Sequence, residues 1–411
     1  MQKQLMTFDP SNLSAFGTLE TNELTPVFQG DYVYGLNTQT WNTPIISGTG
    51  AIIDTNNSRL RLQSGTGTTN YAYITSKKII RYRAGSGTIA RFTPLYDTPI
   101  TGNTQMWGVG TIINNLPVDG YFIGYSGATL GIMHYNNSVL SFIPQNSTTV
   151  QSWNGDKVDG SIGTSFNWNP TLGSPVMIKY PYLGFGDIFF YVQIPTTGAW
   201  TLIHTIKYAN TTNVIELTNP SLQFIGYVAN YGNIVNKTIY TASVGIFISG
   251  SRNFISNPKF GIDNNKATIT TETCILNIKN SSSYNGTTNR GTIRLNQISV
   301  ATATNNVVCT LKFKLNATIG GSTIYTPING TSVDSGITIT NGNSIASYDT
   351  GGTTISGGIY LYNLTIGAQG NANIDLTNIE LLLSPGDILS VTASASASAT
   401  VGVSVNWSED I

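Results

Sequence analysis

The stretch "LSVTASASASATVGVSVNW", Leu389 to Trp407, alternates without a break. Every odd-numbered position is apolar and every even-numbered one is Ser, Thr, Gly or Asn. A period of two gives an extended strand one apolar and one polar face, and it cannot make a helical stripe. A single strand of this length would run ~60 Å at ~3.3 Å per residue, well beyond an ordinary strand. The stretch therefore reads as two strands, "DILSVTA" and "TVGVSVNW", joined through the Ala-Ser middle as a closing hairpin. Its apolar face, Ala395 included, is expected on a core. Pro385-Gly386 before it and Trp407-Ser-Glu-Asp after it bound the segment, which separates it from silk.

Nothing in the rest of the chain competes with strands. Apolar residues at helical spacing do not persist over a dozen positions anywhere. Short β-branched or aromatic runs recur instead, among them "YAYITS", "KIIRYR", "TIARFTP", "PVMIKYPYL", "DIFFYVQIP" and "WTLIHTIKYA", punctuated by Gly, Pro, Asn or Asp. Past "SGSRNFISNPKF" the aromatics thin and Thr, Asn and Ile dominate. In "VVCTLKFKLNA" apolar positions alternate with Val308, Thr310, Lys312 and Lys314, which predicts one buried and one wet face. The expected fold is all-β: two β-sandwich or jelly-roll domains, at 31–255 and 256–411, behind an N-terminal arm at 1–30.

Charge narrows the partners. Lys plus Arg number 20 and Asp plus Glu 20, only 10% of the chain together. Such a chain has no electrostatic reason to seek nucleic acid or an anionic membrane. No run approaches the ~20 apolar residues of a membrane span. The opening "MQKQLMTFDPSNLSAFG" lacks the apolar core of a signal peptide, so a soluble protein made in a cytoplasm is expected. Cys274 and Cys309 lie in no metal-binding spacing and are expected as buried thiols, with a disulfide between neighbouring strands as the alternative.

Five patterns carry candidate chemistry. The basic segment "SKKIIRYRAGSGTIARF" holds Lys77, Lys78, Arg81, Arg83 and Arg91, but no helix follows its Gly-rich turn, so two strands joined by "AGSG" are expected rather than a phosphate cradle. Asp119, Asp156, Asp159 and Asp187 are the carboxylates available for glycoside hydrolysis, which needs two of them about 5–10 Å apart. Most sit in turn-like contexts. Asn154, Asp156 and Asp159 in "WNGDKVDG" offer calcium-type oxygens, without the spacing of an EF-hand. His134 and His204 lie in strand contexts with no nucleophile elbow, and read as packed histidines. Finally, Trp107, Tyr121, Tyr125 and Trp153 offer ring faces for stacking on a sugar. No cofactor, metal or catalytic residue is expected.

Ser76, Lys77, Arg81, Tyr82, Gly85 and Gly87, then Arg91-Phe92-Thr93, then Phe122, Gly124, Tyr125 and Gly127 form a set. Together these segments resemble virion structural proteins of tailed bacteriophages and large DNA viruses. The opening "AFGTLETNELTPVFQGDYVYGLNT" and the closing "LSPGDILSVTA…VSVNWSED" are similar to segments of the same class. The resemblance implies a non-enzymatic structural protein exposed on a capsid or tail. It implies a lectin-like first domain, an assembling jelly roll behind it, a homotrimer, and contacts with other virion proteins. A carbohydrate-binding, receptor-attaching module is the first alternative, and a glycan depolymerase the second.

Overall fold

The computed structural model describes residues 24–54, 57–249, 257–284, 286–328, 331–334, 337–340, 344–377 and 381–411. The described residues form antiparallel strands and contain no helix, so the chain is all-β. It divides into two compact units, 1–252 and 253–411. Of the expected arm, residues 1–23 lie outside the described residues. The remainder belongs to the first unit, because Leu24–Asp31 pairs with Thr238–Ser249 as a sheet strand.

Two sheets make the first unit. One runs Trp200–Ile206, Ile188–Gln193, Val176–Tyr180, Thr88–Leu95, Thr238–Ser249, Arg59–Gln63, Ala51–Asp54, with Leu24–Asp31 added on Thr238–Ser249. The other runs Val139–Pro144, Thr129–Asn136, Leu116–Ser126, Asn103–Ile113, Gln223–Asn230, Tyr71–Thr75, Ile45–Ile46. Between them lies one core of Trp41, Trp107, Tyr121, Ile132, Ile178, Phe190, Phe224 and their neighbours. Each such side chain contributes roughly 1.5–3 kcal/mol when withdrawn from water.

The seven-stranded sheet buries its other face as well. Tyr73, Met106, Phe122, Met133, Ile225, Tyr227 and Ala229 form a second cluster there. The hairpin joining Asn103–Ile113 to Leu116–Ser126 helps to cover it. Asn115 at its tip accepts hydrogen bonds from the Tyr73 hydroxyl at 3.0 Å and the Tyr227 hydroxyl at 3.5 Å. Tyr227 is in register with Met106, nine positions before Asn115. An extended strand would carry the tip ~30 Å away, out of reach of a tyrosine. The hairpin therefore curls back over the face. Gly120 and Gly124, at φ 140° and 153°, supply backbone angles that side-chain-bearing residues avoid.

The second unit is a smaller sandwich. One main sheet runs Lys259–Ile269, Ala399–Asp410, Thr292–Thr302, Asn371–Asp375, with Leu382–Leu383 added on Thr292–Thr302, and the other runs Thr326–Pro327, Ala346–Asp349, Thr273–Asn280, Ile388–Ala395, Cys309–Leu315, Ile359–Ile366. The two halves of the alternating stretch, Ile388–Ala395 and Ala399–Asp410, lie in different sheets. They are not a hairpin but an arch that crosses the sandwich. The apolar face goes where the alternation puts it: Leu389, Val391, Ala393, Val401, Val403, Val405 and Trp407 are all core. At the bend the pattern fails: Ala395 is only half-buried and Ala397 is exposed, because neither sheet covers the crossing. Cys274 and Cys309 are buried free thiols.

Candidate functional site

The four aromatic residues singled out for sugar stacking are placed in the core. Trp107 and Tyr121 are 0% exposed, Trp153 2% and Tyr125 7%. The indole N–H of Trp153 donates to the Ile143 carbonyl at 3.2 Å. Tyr125 packs edge-on to Tyr96, and Trp107 stacks on Phe224. None offers a ring face to a ligand. Trp107, Tyr121 and Tyr125 follow the inward pleat of strands whose two faces are both covered, and Trp153 reaches the same core from a loop.

The other patterns resolve as follows. Of the basic segment only Thr88–Leu95 is a strand. Lys77–Arg83 contributes a single bridge, Ile80 to Leu222, because Ile79 and Ile80 are both buried and the chain cannot alternate. Asp156 accepts from the Val158 N–H at 2.8 Å and the Ser165 N–H at 2.7 Å. Asp159 accepts from the Ser161 N–H and hydroxyl and from Asn146, and these bonds hold its carboxyl down at about 2. Asn154 brackets Thr205 through both amide atoms. Oxygens spent on their own loop and on the neighbouring strand Trp200–Ile206 make turns and loop ties, not a cation cage. His204 is fully buried, and desolvation pushes it down to about 4.

The structure instead gathers ionisable groups around Glu216, which the sequence reading passed over. Glu216 is 0% exposed. Its Oε2 accepts from the Tyr121 hydroxyl at 2.9 Å, and its Oε1 has no partner. Burial pushes the carboxyl up to about 8; the Tyr121 hydrogen bond opposes this, and the charge of Asp187 adds to it. His134 Nε2 lies 3.0 Å from the Glu216 carbonyl, and the Tyr208 hydroxyl 3.1 Å from His134 Nδ1. A carbonyl only accepts, so Nε2 carries the proton and Nδ1 accepts from Tyr208. Burial keeps this imidazole below its ordinary pKa, consistent with that neutral form. Asp119 accepts from the Asn137 N–H, and Asp187 from the Tyr208 N–H at 2.9 Å. The hydrolysis candidates thus split: Asp119 and Asp187 act on this cluster electrostatically, while Asp156 and Asp159 belong to another loop.

The cluster clamps two surface segments together. The Glu216 N–H donates to the Gly184 carbonyl at 3.1 Å, the Tyr182 hydroxyl to the Leu217 carbonyl at 2.9 Å, and Asn136 to the Ile215 carbonyl at 3.1 Å. Tyr82, from the motif region, packs edge-on against Tyr182 with centroids 4.7 Å apart. Tyr182 and Leu183 have φ of 57° and 54°, followed by Gly184 at 80°. Two consecutive left-handed residues other than glycine cost roughly 1 kcal/mol or more each, and persist only where their surroundings enforce them. Above this clamp Leu183, Phe185, Val214 and Ile215 are 53%, 40%, 59% and 47% exposed. A lone Glu in "NVIELTNP", flanked by apolar residues in a charge-poor chain, was the signal available in the sequence.

No family model matches the chain, and no curated protein matches it. Solved structures do. The Lotus tetragonolobus seed lectin is 12% identical, with 55% of this chain and all of that one covered and a TM-score of 0.33. Peanut lectin is 13% identical over 56% of this chain and all of its own, at 0.35. A carbohydrate esterase from the Shiga toxin-encoding bacteriophage phi24B is 9% identical over 56% of this chain and all of its own, at 0.32. These likenesses are of fold alone.

Proposed function

We propose that this chain is a non-enzymatic structural protein of a virus particle, carried at the capsid or tail surface as a homotrimer. Its first sandwich attaches to host-surface carbohydrate through the loop end around Glu216. The observation that carries the reading is the exposed group Leu183, Phe185, Val214 and Ile215 held on a clamped, conformationally strained loop pair. Exposed apolar side chains on a rigid, low-charge mount fit the C–H faces of sugar rings and neighbouring subunits alike.

The depolymerase reading draws on Glu216, whose raised pKa suits a general acid. Its complete burial and its bond to Tyr121 suit a structural keystone better. Two assays decide. Glycan-array binding should be lost in Phe185→Ala with the melting temperature unchanged; a variant that binds as well as the parent rejects the loop end as the contact. Release of reducing ends from host glycans, abolished in Glu216→Gln, would replace attachment with hydrolysis. The chain's location in a particle map tests the virion assignment.

A further inference from the structure

The second unit carries a different surface. The five-stranded sheet turns Val401, Val403 and Val405 inward, so its outer face is built from the polar positions of the same alternating strand. Strand register aligns these positions into rows. Asp263, Ser404, Ser299 and Asn373 form one row across four strands, and Asn265, Gly402, Ala301 and Asn371 the next. In both rows the two outer strands carry Asn or Asp and the two inner strands carry Gly, Ala or Ser. Long walls and a short floor leave a shallow trough of about 410 Å³, open to solvent along the sheet face. That lies within the ~300–1,000 Å³ typical of ligand sites. Three interstrand spacings make it ~14 Å across between strand axes.

Individual residues shape it. A Cβ at Gly402 would run into the Asn265 Oδ1, so the glycine leaves room for that wall amide at the edge of the floor. The Ser299 hydroxyl donates to Asn373 Oδ1 at 3.1 Å and orients the second wall. Asp263, Asn265 and Asn371 are exposed, and their side chains make no hydrogen bond among the described residues.

The lining selects the ligand class. No Lys or Arg lines the trough, so neither a phosphate nor a nucleic-acid backbone has a counter-charge. One carboxylate is too little for a hard cation, which takes about six or more oxygens. No aromatic or large aliphatic anchor is present for a protein hot spot. Amides and hydroxyls both donate and accept, which matches the adjacent hydroxyls of a sugar. We propose that this trough binds a neutral oligosaccharide laid along the strands. The site is separate from the loop end of the first unit and does not depend on it.

The test is calorimetric titration of the full chain with neutral hexose and N-acetylhexosamine oligomers at millimolar concentration. Amide hydrogen exchange of Lys259–Ile269 and Asn371–Asp375 is followed in parallel. Binding with slowed exchange in those two strands is expected. The surface double variant Asn265→Ala/Asn373→Ala should weaken it at least tenfold, and Gly402→Val should do the same by refilling the floor. Phe185→Ala, in the other unit, should leave it unchanged. If Gly402→Val does not fold, the surface double variant decides alone. Failure of every oligomer to bind overturns the proposal. So does parental affinity in the folded double variant. Loss of binding in Phe185→Ala alone would favour the loop end and overturn the trough. A double variant that changes the oligomeric mass while keeping parental sugar affinity would make the trough a subunit contact, which also overturns it.

Discussion

Single residues in this protein are decided by what surrounds them. Ala393 and Ala395 sit two positions apart on the same alternating face, yet Ala393 is 0% exposed and Ala395 only half-buried at the bend of the arch. A carboxylate at Ala393 has neither water nor a partner. Ala393→Asp should cost 3 kcal/mol or more, roughly the scale of an unpaired buried charge, and Ala395→Asp about 1 kcal/mol. Urea denaturation midpoints measure the difference; equal midpoints would place the two alanines in the same environment. Glu216 gives a pH prediction. Its folded pKa of about 8 lies above its ordinary 4.5, so between those values the folded state holds a proton that the unfolded chain has released. Its contribution to stability is complete below pH 4.5 and lost as pH rises towards 8. His204 acts on the acid side, staying neutral down to about 4 while the unfolded chain protonates near 6.5. The urea midpoint should therefore fall from pH 6.5 to 8 in the parent and stay nearly flat in Glu216→Gln. A parallel fall in both would remove Glu216 as the cause.

At the scale of elements, periodicity was legible and partners were not. Alternation in Cys309–Leu315 correctly separates core from non-core positions, but the expected wet face is partly dry. Lys314 is 3% exposed, its ammonium 2.7 Å from Glu272 and 4.8 Å from the Tyr360 ring centroid. Glu272, from the turn before Thr273–Asn280, also takes Lys312 at 2.9 Å and Thr392 at 3.1 Å. A polar cap of this kind depends on residues distant in sequence, which no local period encodes. The same holds for the curled hairpin of the first unit, where the tip amide is the visible tie to the sheet. Asn115→Ala removes the side-chain acceptor for Tyr73 and should cost about 1 kcal/mol. It should also speed amide exchange in Asn103–Ile113 and Leu116–Ser126. Unchanged exchange would mean that the curl is held by packing alone.

For the whole molecule, low charge and strand-rich composition have a direct consequence. With only 10% of its residues charged, the chain would assemble with little charge to desolvate. The proposed homotrimer is checked by mass measurement at micromolar concentration, where a mass near three times 44.0 kDa is expected. A monomeric mass under those conditions would count against assembly through this chain by itself.

What the sequence determined alone is the strand class and the side of each strand that faces a core, because a period of two is local and survives any arrangement of strands. The alternating stretch shows where that ends. Its apolar face is where the pattern puts it, but whether its halves pair or part depends on which neighbours each half meets. Ile388–Ala395 lies between Thr273–Asn280 and Cys309–Leu315, and Ala399–Asp410 between Lys259–Ile269 and Thr292–Thr302. Those long-range pairings turned an expected hairpin into an arch and moved the sugar-stacking candidates into the core. They gathered Glu216, His134 and Tyr208 from three separate segments. Only the tertiary structure decides such matters, since register and crossover are set by the sum of distant contacts.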